Sequence, residues 1–368
     1  MTEFNFPKIS YKLAENNPDM LDAIGASINK NLLITGCAGS GKSIVAILRA
    51  ARILKELKKE KIIFFTYGIL IKEFLKKAIH DFPSQKIQAI YDWCTFQFNS
   101  EKYWDKNKEE IFSDFEKYVK KHGKFQAVII DEGQDLPEYF YKAVRIISEH
   151  ITVCADDSQI LYPENSTKER DIKEILNSDQ RVLTRNYRNT KEIYNFAKYF
   201  IKEDERLCQS NYEPTNSNKK SLPVIIKTKN IEEESSGILK ILNDYKVIGN
   251  IGIFVKNSAD VNELDAFLGN NNIEHSKYSY GIKKLDIKSP FITTYKSAKG
   301  LEFDLVILPR FHEENMNSEI IAGSPTCTGK DLFVAMTRTK KKLFMICHKK
   351  MPLQFNEIPD IFYEIKSF

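Results

Sequence analysis

The sequence predicts an α/β protein of two domains, each a mainly parallel sheet flanked by helices. Three observations predict this class. The chain has 368 residues, enough for two domains that each bury a core. Short β-branched and aromatic runs alternate with helical patterns along its whole length. Its composition, 42% hydrophobic and 29% charged, is that of a folded globular chain.

The first half of the chain contains the patterns of four strands and three helices. Short apolar runs predict strands at 31–35, 61–66, 125–131 and 151–155. Helical patterns occur at 42–58, 70–80 and 137–148. The stretch around 98–124 is rich in Lys, Glu and aromatic residues and predicts a small helical insertion.

A second alternation of strands and helices follows a polar stretch at 163–171. The predicted strands are 181–183, 222–227, 251–255, 292–294, 305–308 and 343–346. The predicted helices are 191–201, 231–244 and 259–270. We therefore expect a first domain at 1–170 and a second domain at 171–368.

The composition argues against several classes of protein. The six cysteines are scattered without a Cys-x-x-Cys pair, which disfavours a disulfide framework or a zinc site and favours a reducing, cytoplasmic location. The longest apolar runs are too short to cross a bilayer, and no secretory signal pattern occurs at the amino terminus. Lys plus Arg number 55 and Asp plus Glu 50, an excess that permits a polyanionic partner without requiring one.

A phosphate-binding loop is predicted between the first strand and the first helix. Residues 36–43 are GCAGSGKS, a complete Gly-x4-Gly-Lys-Ser motif in the strand-to-helix context that it needs. Glycines let the backbone turn its N–H groups toward phosphates, and the helix N-terminus adds a partial positive charge. We expect Lys42 to reach the β- and γ-phosphates and Ser43 to ligate Mg²⁺. The nucleotide-binding residues expected here are Gly36, Gly39, Gly41, Lys42 and Ser43.

Two carboxylates complete the predicted nucleotide site. The apolar run AVII ends in Asp131 and Glu132, so both follow a buried strand at the sheet edge where the phosphate loop also lies. We expect Asp131 to hold Mg²⁺ through water, and Glu132 to orient and deprotonate the attacking water. The sequence thus predicts a hydrolase of ATP or a similar nucleoside triphosphate.

From DEGQD at 131–135 onward, the chain resembles the UvrD/Rep-type helicases of superfamily 1, in a minimal form without large insertion subdomains. The segment ITVCADDSQILY at 151–162 resembles the third motif of that family, which implies that Gln159 senses the γ-phosphate. The segment LTRNYRN at 183–189 resembles the fourth motif, which implies that Tyr187 stacks on the base and Arg188 contacts the γ-phosphate. The resemblance implies two RecA-like domains with the nucleotide cleft between them.

Two later segments extend the resemblance. TTYKSAKGLEF at 293–303 resembles the fifth motif, which implies that Gly300 and Glu302 bind nucleotide, with Glu302 near the ribose. VAMTRT at 334–339 resembles the sixth motif and makes Arg338 the expected second arginine finger. Cations from the second domain would neutralise charge that develops on the γ-phosphate held by the first. We therefore expect nucleotide binding to close the cleft and hydrolysis to let it open.

The resemblance also implies a track for single-stranded nucleic acid. Tyr67 ends a segment similar to motif Ia and would occupy its base-stacking position, while Thr95 and Phe96 belong to a segment similar to one that touches the strand backbone. Lys256 follows a predicted strand and could contact phosphate, as could Lys296, which replaces the usual histidine of the fifth motif. Core packing is the alternative role for Tyr67 and Phe96.

The chain departs from the family pattern at several places. The segment NPDMLDAI at 17–24 resembles the adenine-recognising segment, but Met20 stands where glutamine is expected. Because a thioether cannot supply paired hydrogen bonds to adenine, the preference for ATP over other nucleotides is left open. The stacking tryptophan expected after Tyr162 is absent, and the large second-domain insertion has no room before residue 292.

Together the motifs predict a nucleic-acid-dependent ATPase that acts as a single-stranded DNA translocase or helicase, with RNA as the other possible track. The missing insertions and tryptophan modestly favour an alternative. In it the chain is a nucleotide-gated, DNA-sensing regulatory subunit that controls a partner nuclease, for example in bacterial antiphage defence, with little unwinding. An unrelated P-loop kinase fails as a third hypothesis, because the fifth and sixth motifs would then have no role.

Overall fold

The computed structural model contains two compact units. It describes residues 2–79, 82–98, 106–202, 213–214, 221–279, 287–316, 320–321, 324–325 and 327–368. The first unit runs from Phe6 to Thr184. The second unit runs from Arg185 to Phe368 and includes the amino-terminal segment up to Asn5.

Strands and helices alternate along the chain, as the sequence predicts. In chain order, the described strands are β1 (Thr2–Glu3), β2 (Leu32–Gly36), β3 (Ile62–Thr66), β4 (Ile87–Ala89), β5 (Ala127–Ile130), β6 (Ile151–Ala155), β7 (Asp179–Leu183), β8 (Arg185–Asn186), β9 (Glu213–Pro214), β10 (Val224–Lys227), β11 (Ile251–Val255), β12 (Ser276–Lys277), β13 (Lys288–Ser289), β14 (Phe291–Thr294), β15 (Phe303–Leu308), β16 (Ile320–Ile321), β17 (Ser324–Pro325), β18 (Thr339–Cys347) and β19 (Glu364–Ser367). The described α-helices are α1 (Pro18–Gly25), α2 (Lys42–Lys55), α3 (Ile69–Ala78), α4 (Ile90–Phe98), α5 (Lys108–His122), α6 (Glu138–Ile147), α7 (Glu169–Leu176), α8 (Lys191–Ala197), α9 (Ile231–Asp244), α10 (Ser258–Asn270) and α11 (Gly329–Met336).

The first unit is built on a parallel sheet of six strands in the order β4-β3-β5-β6-β2-β7. Its central strands are buried on both faces, which explains why they are continuous apolar runs rather than alternating patterns. Leu33, Ile130 and Val153 from three neighbouring strands pack in one core with Phe115 of α5 and Phe140 of α6. All carboxyl ends of these strands therefore meet at one edge of the sheet.

The second unit is built on a parallel sheet of seven strands in the order β12-β14-β11-β15-β18-β10-β19. Ile253 and Ile292 of adjacent strands pack in its core with Ile238 of α9 and Leu268 of α10. The fold class predicted from the sequence, parallel sheets flanked by helices, is confirmed in both units.

One strand lies in a different sheet from the one expected. The strand predicted at 181–183 was placed in the second domain, but β7 pairs in parallel with β2 and so belongs to the first sheet. The predicted junction at 170/171 falls inside α7, whose Ile172 and Leu176 are buried in the core of the first unit. Ile172 and Leu176 lie four positions apart, so they fall on the same side of α7, and that side is buried. The polar residues around them make this helical pattern hard to recognise in the sequence.

The segment predicted as a small helical insertion contains α5. Asn107 and Glu110 form a capping box that starts this helix, and Ile111 and Phe115 are fully buried in the core of the first unit. Residues 99–105 of the predicted insertion lie outside the described residues. Over the part of the chain that is described, α5 is thus an integral helix of the first unit.

None of the described helices has both the length and the apolar composition needed to span a bilayer.

Candidate functional site

The loop between β2 and α2 has the backbone of a phosphate cradle. Gly39 and Gly41 adopt φ angles of 79° and 91°, a region that residues with a Cβ rarely occupy. Lys42 begins α2, and its Nζ donates hydrogen bonds to the carbonyl oxygens of Gly36 at 2.7 Å and Cys37 at 2.9 Å. The lysine therefore folds back over its own loop, toward the place where the predicted motif would hold phosphates.

A buried ion pair holds the Lys42 ammonium. Its Nζ lies 3.1 Å from Oδ2 of Asp156, and both side chains are almost completely buried. Burial alone would lower the pKa of Lys42, but the carboxylates of Asp156 and Glu132 outweigh it and raise that pKa. Burial would likewise raise the pKa of Asp156, but Lys42 and hydrogen bonds from Ser158 and Gln159 lower it. Both partners are therefore charged at neutral pH.

Asp156 contacts Lys42, Ser158 and Gln159 of this cluster, although the sequence motifs assign it no role. Gln159, the predicted γ-phosphate sensor, donates from Nε2 to Oδ2 of Asp156 at 2.6 Å. The signal available in the sequence was position: Asp156 directly follows β6, and β6 neighbours the strand that leads into the phosphate loop. An acid at that sheet edge is the nearest counter-ion for Lys42.

The predicted magnesium ligands also lie together. Asp131 follows β5, is 1% exposed, and accepts a hydrogen bond from the Ser43 hydroxyl. Its Oδ2 makes no hydrogen bond within the described part of the chain. Burial and the neighbouring Glu132 raise the pKa of Asp131 to about 7, against the opposing effect of Ser43. The Ser43 hydroxyl and the Asp131 carboxylate, whose Oδ2 is unsatisfied, are the kind of hard oxygen donors that fit Mg²⁺.

Glu132 is held in place by Gln134, a residue to which the sequence motifs assign no role. Gln134, fully buried, donates from Nε2 to Oε2 of Glu132 at 2.7 Å and accepts on Oε1 from the backbone N–H of Asp156 at 3.0 Å. Glu132 itself has a φ of 55°, an uncommon conformation for a residue with a side chain. The side-chain amide of Gln134 thus contacts both Glu132, the proposed general base, and the backbone of Asp156, whose carboxylate pairs with Lys42.

Two predicted site residues of the second unit, Arg188 and Glu302, belong to one ionic cluster. Arg188 donates from Nε and Nη2 to Oε1 of Glu302, at 3.0 and 2.8 Å, and Lys340 lies 2.8 Å from Oε2 of the same carboxylate. Burial would raise the pKa of Glu302, but these two cations hold it well below its ordinary value. Gly300, two residues earlier, has a φ of 79°. Tyr187 is 38% exposed.

Arg338 lies at the end of α11 and is 1% exposed. Its Nε donates to the carbonyl oxygen of Val334 at 2.9 Å, and its Nη2 donates to the hydroxyl of Thr337 at 3.3 Å. Arg188 also contacts the carbonyl oxygen of Thr337, at 3.3 Å from Nη1. Both predicted arginine fingers are therefore anchored around the same short turn of the second unit.

The predicted nucleic-acid contacts of the first unit differ in exposure. Phe96 of α4 is 82% exposed, so core packing is the wrong alternative for this residue. Tyr67 is half-buried and packs edge-on against Tyr91, with ring centroids 5.4 Å apart. Thr95, next to Phe96, is also half-buried. Tyr67 is thus partly a packing residue, whereas Phe96 presents its ring to solvent.

The two predicted lysine contacts of the second unit lie at one sheet edge. Lys256 follows β11 and Lys296 follows β14, two strands that pair in parallel. Burial raises the pKa of the Cys327 thiol to about 12, and both lysines oppose that shift. Both ammonium groups therefore lie within electrostatic range of this thiol, and each also acts on a carboxylate, Lys256 on Asp260 and Lys296 on Asp331.

Two family models match parts of the chain. A model described as "AAA domain" matches residues 27–161, and a model described as "UvrD-like helicase C-terminal domain" matches residues 282–350. The first match covers the phosphate loop, Asp131, Glu132 and Gln159, and the second covers Glu302 and Arg338 but not Arg188. The AAA-domain model matches the part of the chain that contains the phosphate-loop motif. The UvrD-like helicase model matches the part that contains the fifth and sixth motifs.

Two curated relatives carry helicase names. A protein named as an ATP-dependent DNA helicase of Acanthamoeba polyphaga mimivirus is 26% identical over 259 residues, covering 64% of this chain and 36% of the relative. A protein named as a DNA helicase II homolog of Mycoplasma capricolum subsp. capricolum is 26% identical over 192 residues, covering 46% of this chain and 26% of the relative. The chain thus matches about a third and a quarter of the length of these relatives.

A solved structure shares the fold. Dbp5 of S. cerevisiae, bound to RNA and ADP BeF3, superposes with a TM-score of 0.51 at 11% identity, over 98% of this chain and 95% of that one. This likeness concerns the fold alone. The two family models and the helicase relatives are similar to different parts of this chain, and both support its resemblance to the UvrD-like helicases of superfamily 1.

Proposed function

We propose that this chain hydrolyses ATP or a related nucleoside triphosphate when it binds single-stranded nucleic acid, and that it uses the hydrolysis cycle to translocate. One observation carries the proposal. A buried lysine, three carboxylates, a hydroxyl and a glutamine converge at the carboxyl edge of a parallel sheet, around the start of α2. This is the arrangement that phosphoryl transfer to water requires.

Each group of the first unit has a role in that chemistry. Lys42 would bind the β- and γ-phosphates, and the incoming phosphate charge would replace Asp156 as its counter-ion. Ser43 and Asp131 would hold Mg²⁺, which offsets charge on the phosphate oxygens. Glu132, kept in position by Gln134, would accept the proton of the attacking water. Gln159 would report the γ-phosphate to the segment that follows β6.

The roles proposed for the second unit are electrostatic. Arg188 and Arg338 would stabilise the charge that develops on the γ-phosphate, and Tyr187 would stack on the base. Glu302, which now neutralises Arg188, would exchange that contact for the ribose. Such an exchange leaves no buried carboxylate unpaired, because Lys340 still contacts Glu302.

Single-stranded DNA is the proposed track. The exposed ring of Phe96 would offer a stacking surface, and Lys256 and Lys296, which follow two paired strands, would offer phosphate contacts that do not depend on sequence. Both curated relatives are named as DNA helicases, which favours DNA over RNA. The regulatory alternative, control of a partner nuclease, has no support among these relatives, and we do not propose it.

The test is the rate of phosphate release from Mg·ATP with and without single-stranded DNA. We expect DNA to raise the rate several-fold, and Lys42→Ala to abolish hydrolysis because the phosphate cradle loses its only side-chain cation from α2's first turn. Lys142→Ala is the matched control, because its surface ion pair with Glu138 contributes little. Equal turnover with and without DNA or RNA would rule out the proposed function.

A further inference from the structure

The side-chain amide of Asn189 connects two segments of the second unit that each contain a predicted arginine finger. Asn189 is fully buried and directly follows Arg188 in the chain. Its Nδ2 donates to the carbonyl oxygen of Thr337 at 3.1 Å and to that of Thr339 at 2.6 Å, the residues on either side of Arg338. Since an amide nitrogen has two N–H donors, these two carbonyl oxygens use its full donating capacity.

A second buried asparagine, Asn186, holds the segment that contains Arg188. Its Oδ1 accepts from the backbone N–H groups of Arg188 and Asn189, at 3.0 and 3.1 Å. Its Nδ2 donates to Oδ1 of Asn189 at 3.0 Å. The Asn189 amide is therefore fixed on its oxygen side by Asn186 and on its nitrogen side by the turn around Arg338.

Thr337, which precedes Arg338, contacts both guanidinium groups. Its carbonyl oxygen accepts from Nη1 of Arg188 at 3.3 Å, and its hydroxyl accepts from Nη2 of Arg338 at 3.3 Å. Two like charges that bind one residue repel each other, so their arrangement depends on the groups that hold this residue in place. Asn189 is one such group, because its amide donates to the same carbonyl oxygen as Arg188.

We propose that Asn189 is a positioning residue that holds Arg188 and Arg338 in one fixed arrangement, so that the two arginines stabilise the γ-phosphate charge together. This inference rests on the roles proposed above for the two arginines. Electrostatic stabilisation of a transition state is effective when the charged groups are oriented before the reaction and need no rearrangement during it. Because Asn189, Thr337 and Thr339 are all fully buried, water cannot replace the amide. In this role Asn189 acts through the arginines and does not touch the nucleotide.

The test measures the single-turnover rate of Mg·ATP hydrolysis by the DNA-bound chain, and the dissociation constant of Mg·ATP, for the wild type and Asn189→Ala. We expect Asn189→Ala to lower the rate about 30-fold and to change the dissociation constant less than about threefold, because orientation matters most for charge that develops in the transition state. Asn189→Ser keeps one donor for the two carbonyl oxygens and should lower the rate only about fivefold. Asn189→Ser is used for the same comparison if Asn189→Ala does not fold.

Asn31→Ala is the matched control for a loss of stability. The amide of Asn31 also connects two backbone segments, since its Nδ2 donates to the carbonyl oxygen of Leu176 and its Oδ1 accepts from the N–H of Ile151, both at 2.8 Å. Asn31 directly precedes β2, at the edge of the first sheet opposite to the phosphate loop. We expect both alanine variants to lower the melting temperature, but only Asn189→Ala to lower the rate of hydrolysis.

A double-mutant cycle tests whether Asn189 acts through Arg338. In a chain that already contains Arg338→Ala, the further change Asn189→Ala should lower the rate less than about threefold, because one member of the pair to be held is absent. If the two residues acted independently, their effects on the rate would multiply.

The outcomes separate this inference from the proposed function. A wild-type rate for Asn189→Ala, an equal loss of rate for Asn31→Ala, or an equal effect of Asn189→Ala with and without Arg338 would overturn the inference. Each of these results would leave the proposed hydrolase intact, because that activity is tested separately through Lys42. Absence of hydrolysis by the wild-type chain would defeat the proposed function and this inference with it.

Discussion

Gln134 shows how a single amide can connect two motifs of the nucleotide site. It contacts Glu132 with its nitrogen and the backbone of Asp156 with its oxygen, so it orients the proposed base relative to the acid that pairs with Lys42. Because Gln134 makes these contacts while fully buried, its loss cannot be compensated by solvent. Gln134 is therefore a positioning residue, which acts through Glu132.

Gln134→Ala is expected to lower kcat by about 10- to 100-fold with little change in KM, because the base loses its orientation while phosphate binding persists. Steady-state hydrolysis in saturating single-stranded DNA measures both constants. Gln126→Ala is the control, since Gln126 accepts from the backbone of Lys61 beside the opposite end of β5. An equal loss in kcat for both variants, or a rise in KM alone, would contradict the positioning role.

Replacing Phe96 is expected to change the affinity for nucleic acid without changing the stability of the fold. Since 82% of this residue is exposed, Phe96→Ala should leave the free energy of unfolding almost unchanged. It should weaken binding of single-stranded DNA about tenfold, because a base loses its stacking partner. Fluorescence anisotropy with a labelled oligonucleotide measures the affinity, and urea denaturation measures the stability.

Phe98, two positions further along the chain, is expected to show the opposite behaviour, with an effect on stability. Its ring packs against Trp93 and Phe115, at centroid distances of 5.8 and 5.3 Å, so Phe98→Ala should destabilise the first unit. If Phe96→Ala binds DNA as tightly as the wild-type chain, its exposed ring has no part in the track.

At the scale of elements, α1, α2 and β6 are joined by the buried Arg49. Its Nη2 lies 3.2 Å from Nε2 of His150, which directly precedes β6. Burial and the adjacent guanidinium lower the pKa of His150 from its ordinary 6.5 to about 3. The histidine is thus neutral in the folded chain at every pH at which the chain is expected to work.

This arrangement predicts a specific loss of stability in acid. A histidine with a depressed pKa binds a proton more readily when the chain is unfolded, so its stabilising contribution is present above pH 6.5 and is lost as pH falls toward 3. Between pH 7 and pH 5 this loss is about 2 kcal/mol. His150→Asn should remove it, so urea denaturation at the two pH values should show a smaller difference for the variant. An identical pH dependence for both chains would contradict the assignment.

The elements also show which parts of the fold follow from the sequence. The strands with continuous apolar runs were predicted nearly to the residue, as for Ile151–Ala155, because burial on both faces leaves no ambiguity about their role. The sheet to which β7 belongs was not predictable, since it depends on pairing with β2 far along the chain. The partners of Lys42 and Arg188 were missed for the same reason: Asp156 and Glu302 are each more than a hundred residues away.

At the scale of the whole molecule, the proposed function needs residues of both units for one reaction. In this proposal the first unit would supply the phosphate cradle, the magnesium ligands and the general base, whereas the second would supply Arg188 and Arg338. The family models divide the chain in the same order, with the ATPase model on the first unit and the helicase model on the second. If the proposed function is right, neither set of residues would be sufficient for phosphoryl transfer on its own.

The most direct test is single-turnover hydrolysis of Mg·ATP by the DNA-bound chain, compared between wild type and Arg338→Ala. We predict a loss of at least about a thousandfold in rate, with nucleotide affinity changed only a few-fold, because the arginine acts on charge that develops in the transition state. Arg170→Ala, at a surface position of the first unit, should hydrolyse at the wild-type rate. Hydrolysis by Arg338→Ala at the wild-type rate would contradict the account, because the first unit would then need no cation from the second.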